Sequence, residues 1–128
     1  MKKELVISIM IIILIIIGNI ITQNYTNNTT IKISNFLDNL KIEVLAKDEK
    51  DNLLYRISTI EDQWNKFEEK LAYYIEHDEL EKVESQISSI KGFIEVNNYE
   101  EVIPEIERGI FILGHIQDKS KLNIKNIF

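Results

Sequence analysis

The sequence predicts an all-α protein, in which an N-terminal transmembrane helix is followed by a four-helix bundle made of two helical hairpins. Two observations predict this fold. Apolar residues fill the segment 5–21 almost without interruption. From Ile31 onward they recur every three or four residues, which is the period of an α-helix. At 128 residues the chain has room for one small domain beside the anchor.

The apolar N-terminal segment predicts a membrane anchor over residues 1–22. At a rise of 1.5 Å per residue, Leu5 to Ile21 spans about 26 Å, close to the hydrocarbon core of a bilayer. Lys2 and Lys3 favour a cytoplasmic N-terminus, so the rest of the chain is expected outside the cytoplasm. A cleaved signal peptide is the alternative, but the segment is long for one and no A-x-A-like triplet follows it.

Residues 23–30, QNYTNNTT, are polar and uncharged, and they predict a spacer between the anchor and a helical domain over residues 31–128. The first helix of that domain is expected at about 31–47. The apolar positions that define the four helices are Ile33, Phe36, Leu37, Leu40, Val44 and Leu45; Leu53, Ile57, Ile60, Trp64, Phe67, Leu71 and Tyr74; Leu80, Val83, Ile87, Ile90 and Ile94; and Val102 or Ile103, Ile106, Ile110, Leu113 and Ile116.

The two inner connections of this domain resemble each other. Ala46–Ile57 and Glu95–Ile106 each pass a polar corner into a helix, and their apolar positions match at an offset of 49 residues. This faint repeat suggests two stacked hairpins. Pro104 is expected to kink or restart the last helix because it lacks a backbone donor.

The stretch YYIEHDELEK, residues 73–82, is interpreted as a corner between helices. The apolar pattern changes phase there, and Asp78 followed by Glu81 matches a capping box. His77 is then expected at the end of the preceding helix, where the helix dipole favours an imidazolium.

Enzyme chemistry has little support in the sequence. Cysteine is absent, and no HExxH, DxDxDG or G-x-S-x-G pattern occurs. A metal site would need His77 and a neighbouring carboxylate to meet His115 by proximity alone. Trp64 is expected in the core with its indole N–H bonded nearby, and ligand stacking is the minor interpretation. No catalytic residue, metal ligand or cofactor is predicted.

Charge and the C-terminal tail bear on partners. Residues 48–107 carry six basic and seventeen acidic side chains, which disfavours nucleic acid as a partner. Residues 119–128 are expected to form a clasp that folds back onto the bundle, and the alternative is a docking strip for anionic lipid or an acidic surface. The apolar tail residues singled out for this role are Leu122, Ile124, Ile127 and Phe128, and Asn126 is a further interaction candidate in the same tail.

Three features together resemble a known family. They are Trp64 thirteen positions before His77, the ending GHIQDKSKLNIKNIF, and the N-terminal anchor. In these features the chain is similar to the uncharacterised bacterial family catalogued as domain of unknown function 4363, although Lys50–Leu54 departs from the acidic-Trp-x-x-Ala pattern usual there. The positions that match the family pattern, interpreted as structural markers, are Trp64, His77, Glu79, His115 and Asn126 to Phe128.

The resemblance implies no activity. Genes of the family often neighbour those of small YetF-like multi-pass membrane proteins, which implies a membrane-protein partner by association. We therefore expect a non-enzymatic accessory or interaction module. The alternatives are a ligand- or cation-sensing bundle with Trp64, Tyr74 and His115 around a cavity, and a metal-dependent hydrolase that uses His77 and His115.

Overall fold

The computed structural model describes the backbone of residues 1–127 and the side chains of residues 1–121. This part of the chain forms four helices and no strand, which confirms the all-α prediction. The helices are α1 (Lys2–Leu45), α2 (Lys50–Leu71), α3 (His77–Glu95) and α4 (Tyr99–Ile127).

Helix α1 has two physically different parts. The apolar side chains of segment 5–21 are almost all exposed, on every face of the helix. By length and composition this helix is capable of crossing a membrane, and none of its most apolar stretch is buried in the protein. From Thr26 onward one face of the same helix is buried, at positions that step by three or four residues.

The predicted spacer is wrong as a separate element, because residues 23–30 continue α1 and three of their threonines are buried. The hydroxyl of Thr26 donates to the Thr22 carbonyl at 2.8 Å, and that of Thr30 donates to the Thr26 carbonyl at 2.9 Å. These bonds satisfy the hydroxyls of Thr26 and Thr30 on the helix itself, so these two side chains can be buried without an unpaired donor. Polar composition therefore did not indicate a linker here.

The core consists of the apolar seams of all four helices. All five predicted positions of α3 are buried, as are most of those of the other three helices. Leu45 is exposed instead, because it directly follows the buried Val44 and so lies about 100° around the helix from the end of the seam. The buried apolar residues are Ile33, Leu37, Leu40, Val44, Leu53, Ile57, Ile60, Trp64, Leu71, Leu80, Val83, Ile87, Ile90, Ile94, Val102, Ile106, Leu113 and Ile116.

The helices contact one another in chain order, and α4 closes the ring by packing on α1. Each connection between helices is only three to five residues long, which is typical of antiparallel neighbours. Gly109 lets α4 approach closely, since a β-carbon at this position would lie 3.3 Å from Cδ1 of Leu37. Pro104 does not restart α4, which is continuous from Tyr99; a proline this near the N-terminus removes a single helical hydrogen bond.

Two corners of the fold have the same backbone geometry. After α1, Lys47 adopts a positive φ of 56°, and after α3, Asn97 adopts 61°. At both corners the amide of this residue donates to the carbonyl three positions earlier, and the next amide donates to the carbonyl five positions earlier. This is the Schellman pattern of helix termination. The repeat seen in the sequence is thus matched in the backbone of these two corners.

The Lys47→Gly variant is expected to be more stable than the natural chain by about 1 kcal/mol, because a side chain in the left-handed region is strained and glycine is not. Asn97→Gly is the matched comparison and should gain less, since asparagine tolerates this conformation. Urea unfolding followed by circular dichroism measures both. A destabilised Lys47→Gly chain would contradict the expectation.

The predicted break between the second and third helices is confirmed, but its details differ. Helix α2 ends at Leu71 and α3 begins at His77, so His77 starts a helix and does not end one. The N-cap is Glu76, which has an extended ψ of 137°. Asp78 already lies in the first turn, so the capping box with Glu81 is wrong. The change of phase in the apolar pattern suggested Asp78 as the N-cap of α3. The N-cap is instead Glu76, two positions earlier, where the backbone is extended.

Candidate functional site

The corner between α2 and α3 is held against α1 by a tyrosine. The Tyr74 hydroxyl donates to the Thr22 carbonyl at 3.1 Å and lies 2.9 Å from the Thr26 hydroxyl. Partial burial raises the pKa of Tyr74, while the hydrogen bond with Thr26 opposes this shift. The phenol therefore stays protonated at neutral pH and ties the corner to the end of the apolar segment.

A buried carboxylate lies beside this corner. Glu79 in the first turn of α3 is only 8% exposed. Its Oε1 lies 3.5 Å from the Lys82 ammonium and 3.5 Å from that of Lys119 on α4. Its Oε2 has no hydrogen-bond partner among the residues whose side chains the structure describes. Lys119 also lies 3.6 Å from Oε2 of Glu76.

These groups surround a cavity of about 110 Å³, called the corner cavity below. One wall comes from the α2–α3 corner and the first turn of α3, and the other comes from α4. The lining residues are Tyr74, Ile75, Glu76, Glu79, Ile116, Lys119 and Ser120. The cavity thus combines carboxylates, an ammonium group and two hydroxyls in a small space.

Most predicted site residues lie elsewhere. The His77 side chain is 74% exposed, with Nε2 3.2 Å from Oε1 of Glu81. Asp78 and His115 are exposed as well. Neither histidine lines the corner cavity. No cluster of three metal-ligating side chains occurs among the described residues.

Trp64 is fully buried in the middle of α2, as predicted. The expectation that its indole N–H would be bonded nearby is wrong, since Nε1 has no partner within the described side chains. The ring borders a cavity of about 190 Å³ between α2 and α3. Tyr74 borders the separate corner cavity, which neither Trp64 nor His115 lines, so the predicted Trp64–Tyr74–His115 grouping is not assembled in either cavity.

A polar network inside the α3–α4 interface was not predicted from the sequence. Gln86 donates to both the carbonyl and the carboxylate of Glu105, and Arg108 donates to the same carboxylate at 2.6 Å. Gln86 and Glu105 are both buried. Glu105 directly precedes the core residue Ile106, and this position on the apolar face was the available signal. The network pairs the buried Glu105 carboxylate with the Gln86 amide across the interface and with the Arg108 guanidinium on the same helix.

Helix α2 carries a carboxylate with a raised pKa. Partial burial raises the pKa of Glu68, Glu84 and Glu81 raise it further, and His77 opposes them. A raised pKa in the folded chain means that ionisation weakens the fold. The resulting loss of folding stability is complete at neutral pH. It disappears as the pH falls through the raised pKa of Glu68 toward the ordinary value of 4.5.

The Glu68→Gln variant is therefore expected to melt at a higher temperature than the natural chain at pH 7. The gain should shrink as the pH is lowered toward 4.5. Thermal unfolding at a series of pH values measures it. Glu69→Gln, which neutralises the adjacent exposed carboxylate, is the control for net charge. A gain that grows on acidification would contradict the sign.

At the opposite end of the domain lies an apolar surface. Leu45 is 64% exposed and Val96 is 69% exposed, and Ile42 is exposed one turn before Leu45. Leu45 borders a largely apolar cavity of about 520 Å³, whose other lining residues are Val44, Lys47, Asp48, Leu53, Tyr99, Glu100 and Ile103. We call Ile42, Leu45, Val96 and this cavity the distal surface.

The predicted tail residues Leu122, Ile124, Asn126, Ile127 and Phe128 lie outside the side chains that the structure describes. The backbone continues α4 as far as Ile127. The clasp over residues 119–128 therefore stays a prediction.

The fold and the corner define a class of protein: an all-α domain that continues without interruption from a long apolar helix. The family model described as Domain of unknown function (DUF4363) matches residues 20–127, and the chain belongs to this family. The match covers the whole packed domain and confirms the resemblance seen in the sequence. Comparison with curated proteins and with solved structures gave no match.

Proposed function

We propose that this protein is a non-enzymatic, single-pass membrane protein whose helical domain lies outside the cytoplasm and acts as an accessory or interaction module. The observation that carries the proposal is the exposed apolar part of α1, which is continuous with a well-packed domain. A contiguous apolar surface of this size is costly in water. A lipid bilayer removes that cost, so the segment 5–21 serves as the anchor.

The domain is a four-helix bundle of two helical hairpins in this proposal. Contacts between helices that follow one another in the chain, and between α4 and α1, support this topology. The matched Schellman corners at Lys47 and Asn97 support a pairing of α1–α2 with α3–α4. Such a bundle is rigid enough to hold a docking surface at a fixed height above the membrane.

Lys2 and Lys3 support the orientation, because the basic flank of a spanning helix stays in the cytoplasm. After the apolar segment the next basic residue is Lys32. Since the natural chain has no cysteine, single cysteines report topology cleanly. With an impermeant maleimide, Thr59→Cys on the exposed side of α2 should label in intact cells, and Lys3→Cys only after lysis. The reverse pattern would refute the orientation.

The distal surface is the site proposed for the interaction. It lies about 36 Å above the end of the apolar segment, since α1 rises 1.5 Å per residue from Ile21 to Leu45. Exposed apolar side chains beside a cavity are typical of docking sites. The family resemblance suggests a YetF-like multi-pass membrane protein as the partner.

Crosslinking followed by purification from native membranes tests this interaction. Leu45→Glu and Val96→Glu should each abolish recovery of the partner, because a charge on the distal surface opposes its burial. Phe111→Glu is the matched control, since Phe111 is 75% exposed on α4 outside the distal surface. Equal recovery with all three variants, or recovery of the protein always alone, would refute the interaction module.

Ligand sensing is the second candidate function, and one observation favours it: a buried carboxylate lines the corner cavity, and one of its oxygens has no donor among the described residues. The metal-dependent hydrolase has no comparable support, because His77 and His115 are both exposed.

A further inference from the structure

The corner cavity is lined by a buried carboxylate, one oxygen of which has no donor among the described residues. Glu79 is more than nine-tenths buried and lines the cavity, yet its Oε2 has no partner in the part of the chain that the structure describes. A buried carboxylate oxygen without a donor is unfavourable, and native proteins rarely leave one. The cavity of about 110 Å³ beside Glu79 is large enough to admit a small polar group, which supplies that donor when the carboxylate turns toward it.

The cavity also contains an ammonium group that is incompletely bonded. Lys119 lies 3.5 Å from Glu79 and 3.6 Å from Glu76, beyond the 2.7–3.2 Å typical of a hydrogen bond to oxygen. The two carboxylates are balanced by the two ammonium groups of Lys82 and Lys119. A complementary ligand therefore carries an N–H donor for Glu79 beside an anionic oxygen for Lys119, and is itself close to neutral.

The distance of the cavity from the end of the apolar segment indicates where such a ligand comes from. Tyr74 lines the cavity and is bonded to Thr22 and Thr26 of α1, within five residues of Ile21 at the end of the apolar segment. Five helical residues rise about 7.5 Å. The polar headgroup layer on each side of a bilayer is roughly 5–8 Å thick. The cavity therefore lies at the level of lipid headgroups when α1 spans the membrane.

We propose that the corner cavity binds the headgroup of an ethanolamine phospholipid, with its primary ammonium on Glu79 and its phosphate on Lys119. The inference rests on the membrane anchor proposed above for its lipid source. The bound headgroup would fix the α2–α3 corner to the membrane surface and set the tilt of the whole domain. The same phosphoethanolamine chemistry is offered by a free, water-soluble molecule, and the two sources are separable.

Native mass spectrometry of the full chain released from nanodiscs tests the proposal. Phosphatidylethanolamine should be retained about tenfold or more over phosphatidylcholine, whose quaternary ammonium has no N–H to donate to Glu79. Glu79→Gln should remove this preference, because the ammonium loses its counter-charge. Glu69→Gln, an exposed carboxylate on the last turn of α2, is the matched control and should keep it.

Equal retention of the two lipids by the natural chain would overturn the proposal and leave a cavity filled by water. Calorimetry with free phosphoethanolamine and the detergent-solubilised chain provides the second arm. If free phosphoethanolamine binds in this experiment and Glu79→Gln abolishes that binding, the same site is supported, with a water-soluble molecule as its ligand. Cysteine labelling separates the two failures: a correctly oriented chain without lipid preference overturns this inference alone, whereas a misoriented chain overturns the proposed function.

Discussion

Replacing Trp64 by alanine is expected to lower the free energy of unfolding by about 3–5 kcal/mol, the cost typical of removing a large buried aromatic side chain. Trp64 is fully buried at the centre of the α2 seam, and its truncation would enlarge the neighbouring cavity of about 190 Å³. Domains of this size are stable by only about 5–15 kcal/mol, so the variant should be close to unfolding at 37 °C. Urea unfolding monitored by far-ultraviolet circular dichroism measures the loss.

Two further variants make this prediction specific. Trp64→Phe should lose clearly less than alanine, because it keeps an aromatic ring and removes an indole N–H that has no partner among the described side chains. Tyr55→Ala, at an exposed position on the same helix, should change stability by no more than about 0.5 kcal/mol. A Trp64→Ala chain as stable as Tyr55→Ala would mean that α2 does not pack as described.

A shortened chain that begins at Ile31, the domain boundary predicted from the sequence, is expected to be less stable than one that begins at Gln23 by about 2–4 kcal/mol. The longer chain keeps the Thr26–Tyr74 hydrogen bond and the edge-on packing of Tyr25 against Phe67, whose ring centroids are 6.3 Å apart. It also keeps the buried threonines of α1. Each of the two named contacts contributes on the order of 1 kcal/mol.

Urea midpoints of the two shortened chains measure this difference. Tyr74→Phe in the longer chain removes the hydroxyl alone, and it should account for about 1 kcal/mol of the loss. Identical midpoints for the two shortened chains would restore the spacer interpretation and refute the role assigned to residues 23–30.

The helical seams were predictable because apolar spacing is a local property of the sequence. The pattern of α3 from Leu80 to Ile94 and the break before it were both confirmed. The exact start of α3 was not predicted correctly. Both Asp78 and Glu76 are acceptable near a helix N-terminus, and only the backbone path of the corner selects between them. The anchor is supported by the exposed apolar part of α1, and membrane crossing remains a proposal.

The corner cavity was not predictable. Glu79 is one of five acidic residues between Glu76 and Glu84, and the sequence does not distinguish the buried carboxylate from its solvated neighbours. Its burial depends on α4 passing beside the first turn of α3 and bringing Lys119 to it. The sequence placed Tyr74 on the seam, but its bonds to α1 join residues about fifty positions apart.

By itself the sequence determined the helical class, the four seams, the apolar segment and the family, because each follows from spacing or composition along the chain. Tertiary structure alone decided that the polar threonines belong to the core, that the Trp64 indole has no partner among the described side chains, and that Glu79, Lys119 and Tyr74 share one cavity. The physical reason is that burial of a polar group is settled by its partners, and these partners come from other helices distant in the chain.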